Sequence, residues 1–405
     1  MTAHKIADFQ WGKTMSLWDG NIFPDWRKIL DFKNRVVQRL VKGIEFLFKK
    51  RGIELISGRA VFLSPTEILI EGAKSERRKF DKVIIATGST TSIPPVEGLS
   101  GISPWDNRRA LSAEKLPQKL VILGGGVIGV EFAHIFRAFG CDVIVVELMP
   151  KILPFNDDDV SSAIHRALVK EGVKIIVSAK AVYAHRNTEG VIIELDDGNS
   201  ISAEEIIVAT GRTPVFPDKL DGIGIEIGEN GIVVDDFLRT SVEDVYAAGD
   251  VIGPPFLAHL ASHQGIFIVE RILGESDRKF DGSGVPAAIF SALEAGSAGL
   301  TEAEARKKFG DNVKIGKFPY IASGRALCED EKEGFLKVIA APDGKIIGFH
   351  SAGKNSSELL GLGGFLVQSG LSIDDVEDKI FAHPTLSEMI GESVLAAEQR
   401  AIHIL

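Results

Sequence analysis

Cysteine is nearly absent from this 405-residue chain, which has only Cys141 and Cys328. Two cysteines so far apart make no disulfide framework and place the chain in a reducing, cytoplasmic setting. Cys141 opens an apolar run and reads as a small inert thiol of the core. No apolar run approaches the length of a membrane span, and Met1-Thr2-Ala3-His4-Lys5 opens no secretory signal. Positive charge is not in excess either. The net charge of −10 and pI near 5.5 argue against nucleic acid or an anionic membrane as principal partner. No metal site is expected. The remaining composition, 45% hydrophobic and 25% charged, is ordinary for a globular protein, and the length suits two or three domains.

The most informative stretch runs from Leu120 to Glu147. Leu120-Val121-Ile122-Leu123 reads as a buried strand, and Gly124, Gly126 and Gly129 follow at dinucleotide-binding spacing before a helix over Val127 to Phe139. Gly124 allows the tight turn, Gly126 lets backbone amides approach a pyrophosphate, and Gly129 lets helix and strand pack closely. The helix N-terminus offers free N–H groups to that anion. Gly140 closes the helix, Cys141 to Val146 forms the next strand, and Glu147 stands where a ribose 2′-hydroxyl is held. Glu147 favours NAD over NADP, because it would repel a 2′-phosphate and Lys151 is the only nearby cation. The plainer reading is a βαβ unit with an incidental acid at a strand end.

In chain order, residues 1–24 give no clear element. Asp25 can cap a long helix with apolar positions Ile29, Phe32, Val36, Val37, Leu40, Ile44, Leu47 and Phe48, ending at Gly52. Strands are predicted over Ile53 to Ile56, Ala60 to Leu63, Ile68 to Ile70, and in Lys82 to Gly88, before an irregular connection over Ser92 to Pro117. Beyond Glu147 the pattern predicts a helix over Asp158 to Val169, then strands over Val173 to Val177, Ala181 to His185 and Val191 to Leu195. Ile207-Val208-Ala209-Thr210-Gly211, followed by Arg212, repeats the ending Ile84-Ile85-Ala86-Thr87-Gly88. Only the second of these halves has a glycine loop ahead of it. The symmetry implies that a strand, glycine loop and helix belonging to the first half are missing from this chain.

Val245 to Asp250 reads as a buried strand ending in an acid. Asp250 can take a flavin ribityl or ribose hydroxyl, or simply cap a following helix. A helix is predicted over Ala258 to Leu273. After about Gly282 the pattern changes to strands over Pro286 to Phe290, Val313 to Lys317, Phe335 to Ala340 and Ile346 to His350. Helices are predicted over Thr301 to Phe309, Ser356 to Gln368 and Thr385 to Ala401, giving an α+β unit suited to packing or dimer formation. In His383-Pro384-Thr385-Leu386-Ser387-Glu388, His383 is a candidate general base oriented by Glu388. The same residues satisfy a capping box, with Glu388 reaching back to the Thr385 amide.

Taken as an ordered set, these segments resemble the pyridine nucleotide–disulfide oxidoreductases, most closely their dihydrolipoyl dehydrogenase branch. The matching residues run from about Asp25 to Leu395. The resemblance implies an α/β fold of Rossmann-like, doubly wound dinucleotide-binding domains, one of them incomplete, followed by an α+β interface domain. Its expected limits are 1–117 for the incomplete FAD domain, 118–244 for the NAD domain, 245–281 for a return to the central domain, and 282–405 for the interface. It further implies FAD and NAD as cofactors and a homodimer oxidising a small-molecule or lipoyl-domain dithiol, within a 2-oxoacid dehydrogenase complex. Asp250 would hold the FAD ribityl region, Gly124, Gly126, Gly129 and Glu147 would hold NAD, and Glu131 would lie near the nicotinamide. Gly88, Gly211, Arg212 and Ala258 complete the implied cofactor set. His383, supported by Glu388, would deprotonate a substrate thiol. The family's first glycine loop and its Cys-x4-Cys pair do not occur in these residues, and neither Cys141 nor Cys328 can replace the pair. The expectation is an N-terminally truncated chain, impaired as written. The alternatives are another NADH-dependent disulfide reductase of the family and a non-catalytic NAD-binding protein on the same scaffold.

Overall fold

The computed structural model of the protein describes residues 2–21 and 23–404. Met1, first residue of the segment read above for a leader, lies outside them. The chain divides into two compact units built from separated stretches. One comprises Met1–Trp26, Ile93–Thr210 and Ser283–Leu405, the other Arg27–Ser92 and Gly211–Gly282.

The first unit contains a four-stranded parallel sheet in the order Glu205–Val208, Lys119–Leu123, Asp142–Val146, Lys174–Ile176. Its strands are apolar along most of their length because helices Val127–Ala138 and Asp158–Lys170 connect them in βαβ fashion, leaving little of the sheet to water. Val130, Ala133 and Phe136 of the first helix pack with Leu120, Ile122, Val143 and Val145 of the sheet, all at 2% exposure or less. Fourteen buried side chains on the other side, among them Val121, Leu123, Ile144 and Val146, include strands Ala181–Arg186, Val191–Leu195 and Ser200–Ala203. A second, antiparallel sheet has the order Ala287–Phe290, Glu294–Gly299, Ile346–Ala352, Phe335–Ala340, Lys314–Pro319, with helices Ser356–Gln368 and Glu388–Ala397 packed on it.

The second unit holds an antiparallel meander, Arg59–Ser64, Glu67–Glu71 and Glu76–Lys79, and a parallel pair, Val83–Ile85 with Val245–Ala247. The two repeated Ala-Thr-Gly endings lead into Ser89–Thr91 and Arg212–Pro214, which pair antiparallel within this unit. Helix Trp26–Arg51 has no buried residue, so Phe32, Val36, Val37, Leu40, Ile44 and Leu47 of its predicted stripe all face outward.

Several expectations are corrected. The segment with no clear sequence signal contains the helix Thr2–Thr14, whose Ala3 and Ile6 are buried in the first unit. Ile53 to Ile56 form no strand: these residues are exposed, and pairing starts only at Arg59. The last helix spans Glu388–Ala397 rather than Thr385 to Ala401, because Thr385 and Ser387 are engaged in a side-chain turn ahead of it. Strand Glu294–Gly299 went unread because its small residues give no β signal. They are small for a packing reason. A Cβ on Gly296 would stand 2.6 Å from Leu360 of the covering helix. Among the described residues no helix is long and apolar enough to cross a membrane.

Candidate functional site

Three glycines shape the turn at the end of strand Lys119–Leu123. Gly124 has φ +103°, and a Cβ there would lie 2.4 Å from the Ala209 carbonyl oxygen. At Gly129 it would lie 1.9 Å from the carbonyl oxygen of Gly124, so the helix sits directly against the turn. Gly126 is the residue before the helix and has nothing within 4 Å of where its Cβ would be. No side chain caps this helix. Its first amides therefore point into open space beside a backbone with no side chain in the way, which fits a pyrophosphate.

Glu147 stands at the end of the neighbouring strand and is 7% exposed. The Gly125 amide donates to its Oε2 at 2.6 Å and the Met149 amide to its Oε1 at 2.7 Å. Each oxygen keeps a second lone pair, so the carboxylate is aimed by the backbone and can still accept from a ribose hydroxyl. Lys151, the one nearby cation, is engaged by Asp158 and by the Asn156 carbonyl at 3.1 Å. These residues fit NAD, and the one ammonium close enough to meet a 2′-phosphate is engaged elsewhere. Replacing Glu147 with Ala strips both amides of their acceptor and is expected to cost about 1–3 kcal/mol, read from urea denaturation. One turn into the helix, Glu131 Oε1 accepts from the Phe290 amide at 2.9 Å. Burial pushes the Glu131 carboxyl above its ordinary range, only partly offset by that hydrogen bond.

In the second unit Asp250 lies in a short 3-10 turn, Gly249–Ile252, after strand Val245–Ala247. The capping reading fails, since the residue before helix Ala258–Ile272 is Leu257. Asp250 Oδ2 instead accepts from the Ser89 hydroxyl. Arg212 donates from Nε to Ser89 Oγ at 2.6 Å and from Nη2 to Ser89 O at 2.7 Å, and stands 3.7 Å from Asp250. Gly88 and Gly211, with φ +72° and +123°, turn the backbone on either side of this cluster, and Ala258 starts the helix beyond it. Ser89 was not legible in the sequence, where it is simply the residue after Ala86-Thr87-Gly88. These residues offer hydrogen-bond partners suited to the ribityl side of a flavin. Residues 1–82 hold no glycine loop of the spacing Gly124–Gly129.

His383 and Glu388 form the third group. His383 Nδ1 lies 2.9 Å from Glu388 Oε1 while the Thr385 amide donates to Oε2 at 2.8 Å. Both contacts read for Glu388 are therefore present, one on each oxygen. Only half of the capping box forms, because the Thr385 hydroxyl donates to the Ala382 carbonyl instead. Burial pushes the Glu388 carboxyl up, but the Thr385 amide and His383 together hold it below its usual range. The His383 side chain is 79% exposed, so its ring is within reach of an incoming substrate. Cys141 is buried in the parallel-sheet core and its thiol is pushed up by burial to about 11, which leaves it unreactive. Among the described residues no group of three or more His, Cys, Asp or Glu is placed to hold a metal ion.

A Rossmann-type glycine loop, a strand-end acid and a C-terminal His–Glu pair on a covered antiparallel sheet define a class of nucleotide-dependent redox enzymes. The chain belongs to the pyridine nucleotide–disulphide oxidoreductases: residues 5–265 match that family and residues 285–394 match its dimerisation domain. The family's members are NAD-dependent flavoprotein oxidoreductases that use FAD and NAD(H). Its relatives include a dihydrolipoyl dehydrogenase of Bacillus subtilis, 36% identical over 95% of this chain and 84% of the relative. One from Haloferax volcanii is 37% identical over 94% and 82%. Among solved structures, the HOCl-induced flavoprotein disulfide reductase RclA from Escherichia coli is similar at TM-score 0.85 and 28% identity, covering 92% of this chain and 86% of that one. LpdA from Mycobacterium tuberculosis shares the fold at TM-score 0.87 and 23% identity, over 97% and 87% of the two chains.

Proposed function

We propose that this chain carries the NAD-binding and proton-accepting parts of a dihydrolipoyl dehydrogenase, working as a cytoplasmic homodimer on a small-molecule or lipoyl-domain dithiol. In the reaction a dithiol loses two electrons and two protons and closes to a disulfide, NAD+ takes a hydride, and one proton is released. A flavin, when bound, relays the electron pair between sulfur and nicotinamide. The observation that carries the reading is the glycine turn with Glu147 beside it. Gly124 and Gly129 hold the turn closed, Gly126 leaves room for the pyrophosphate, and Glu147 accepts from the adenosine ribose. Glu131, its carboxyl raised by burial, lies at the nicotinamide end. Glu388 fixes His383 with its proton on Nδ1, leaving the Nε2 lone pair to take the proton of a substrate thiol. Asp250, held by Ser89 and Arg212, takes a ribityl hydroxyl, with Gly88, Gly211 and Ala258 shaping the backbone around it. Both cysteines are unpaired, which suits a reducing compartment, and membership of a 2-oxoacid dehydrogenase complex follows if the dithiol is a lipoyl domain.

These 405 residues contain no pair of neighbouring cysteines to exchange with a disulfide. Because Glu147 would repel a 2′-phosphate, purified protein of this sequence is expected to bind NADH at least about tenfold more tightly than NADPH, a difference of about 1.4 kcal/mol. It is expected to show no dihydrolipoamide-dependent reduction of NAD+. Fluorescence titration and a turnover assay test the two halves. Equal affinity for NADPH would remove the role given to Glu147, and measurable dithiol oxidation would remove the claim that a sulfur relay is required.

A further inference from the structure

A lysine in the middle of an apolar strand is the least explained feature of the antiparallel sheet. Lys337 is 1% exposed, within Phe335–Ala340, and every residue of that strand is buried. Its ammonium meets three carboxylates: Asp157 at 2.9 and 3.1 Å, Asp159 at 2.8 Å and Glu302 at 2.7 Å. Burying the Lys337–Asp157 pair is expensive even with Asp159 and Glu302 partly exposed beside it, and apolar side chains would close the same space at lower cost. The partners indicate what the arrangement achieves.

Asp157 is the residue that caps helix Asp158–Lys170, taking the Asp159 amide on Oδ1 at 3.1 Å, and its Oδ2 takes the Glu302 amide at 3.0 Å. One turn into that helix, Ser161 donates its hydroxyl to the Ile152 carbonyl at 2.6 Å. Ile152 and Leu153 are fully buried, and the Leu153 amide donates to the carbonyl of Gly125 at 2.8 Å. Leu153 holds φ +50°, a left-handed conformation that a leucine adopts only where its surroundings enforce it. Gly125 is the middle of the nucleotide turn, and its amide is the one that aims Glu147. Packed contact closes the path as well, since Ile152 Cγ2 lies 2.8 Å from where a Cβ on Gly125 would be. Hydrogen bonds at Lys337–Asp157, Ser161–Ile152 and Leu153–Gly125, linked by the first turn of the helix and the Ile152–Leu153 peptide, thus join the dimerisation-domain sheet to the glycine loop.

We propose that Lys337 is a positioning residue for nucleotide binding, bracing the Gly125 turn and Glu147 from the dimerisation-domain sheet through Asp157, Ser161 and the Ile152–Leu153 segment. This rests on the reading of the turn as an NAD site. Lys337 touches no nucleotide. It sets where the capped helix begins, and so where the two residues that reach back to Gly125 lie. The brace acts on the adenosine and pyrophosphate half of the ligand and not on the nicotinamide.

The test uses the full chain, with NADH binding followed by fluorescence and ADP-ribose by competition, under conditions where circular dichroism shows every variant folded. Lys337→Met is expected to weaken both ligands by the same factor, about tenfold, as small misplacements of a binding group do. Lys317→Met removes the outer contact to Asp159 and the ammonium over the Phe335 ring, neither of which lies on the path, and is expected to leave both affinities as they are. Ser161→Ala cuts the path without disturbing the buried charges and is expected to weaken both about threefold. It also serves if Lys337→Met does not fold. Unchanged affinity in a folded Lys337→Met or in Ser161→Ala overturns the proposal. So does a loss confined to NADH, or an equal loss in Lys317→Met. A wild-type protein that binds neither ligand overturns the NAD reading itself, which is a different result.

Discussion

Replacing Gly129 with alanine is expected to lower NADH affinity about a hundredfold or more and to destabilise the first unit by about 1–3 kcal/mol. The added methyl would sit 1.9 Å from the Gly124 carbonyl oxygen, and a backbone atom has no rotamer by which to move aside. The helix must therefore shift away from the turn, taking its first amides with it. Those amides are what the pyrophosphate needs, and their worth falls steeply with misalignment. Gly126→Ala provides the contrast. It meets no protein atom within 4 Å, so it should leave stability nearly unchanged and weaken binding only through contact with the ligand. Calorimetric or fluorescence titration beside urea denaturation separates the two effects. An alanine at 129 that binds NADH like wild type would mean that the turn is not where the nucleotide sits.

The largest effect on stability is expected from Lys337→Met, at about 3–5 kcal/mol near neutral pH, because the substitution leaves the buried Asp157 carboxylate unpaired beside two partly exposed ones. Burial works against ionisation at Asp157, Asp159 and Glu302, yet all three are held below their usual range. At Asp157 burial is opposed by nearby His350, by the Glu302 amide and by Lys337, while burial pushes His350 itself down. Lys337 is itself raised well above an ordinary lysine, its burial outweighed by the surrounding acids. Depressed carboxylates stabilise above their unfolded values of about 4 and lose that contribution as pH falls through the lower folded values. A raised lysine stabilises fully below its unfolded value of about 10.4 and loses that contribution as pH climbs through the folded one. The gap between wild type and Lys337→Met is therefore expected to be widest between about pH 5 and 10 and to shrink in acid. Urea midpoints across that range measure it. A gap that is flat down to pH 2 would show that the lysine acts by packing alone.

Legibility differed between local and distant features. The glycine loop, the strand before it and the acid after it were readable because all three lie within one βαβ unit, where spacing and hydrophobic period express the geometry directly. The His383–Glu388 contact was readable for the same reason, five positions being a distance a single turn can close. Strand Glu294–Gly299 left no trace because its residues were selected by the helix above it and not by strand propensity. Helix Thr2–Thr14 was missed because its apolar residues are too few to make a stripe, although Ala3 and Ile6 find a buried surface. Asp250 was expected to be either a ligand or a cap, and the start of helix Ala258–Ile272 after Leu257 removed the second possibility.

By itself the sequence determined the family, the nucleotide turn and the preference expected at Glu147, because each depends on residue type and short spacing. The tertiary structure alone decided that Glu147 is aimed by the Gly125 and Met149 amides, and that Glu388 serves His383 and Thr385 together. It alone placed the lysine at 337 against Asp157, far away along the chain. Such contacts are made by surfaces meeting after the elements have formed, and no periodicity within an element records which partner it will meet.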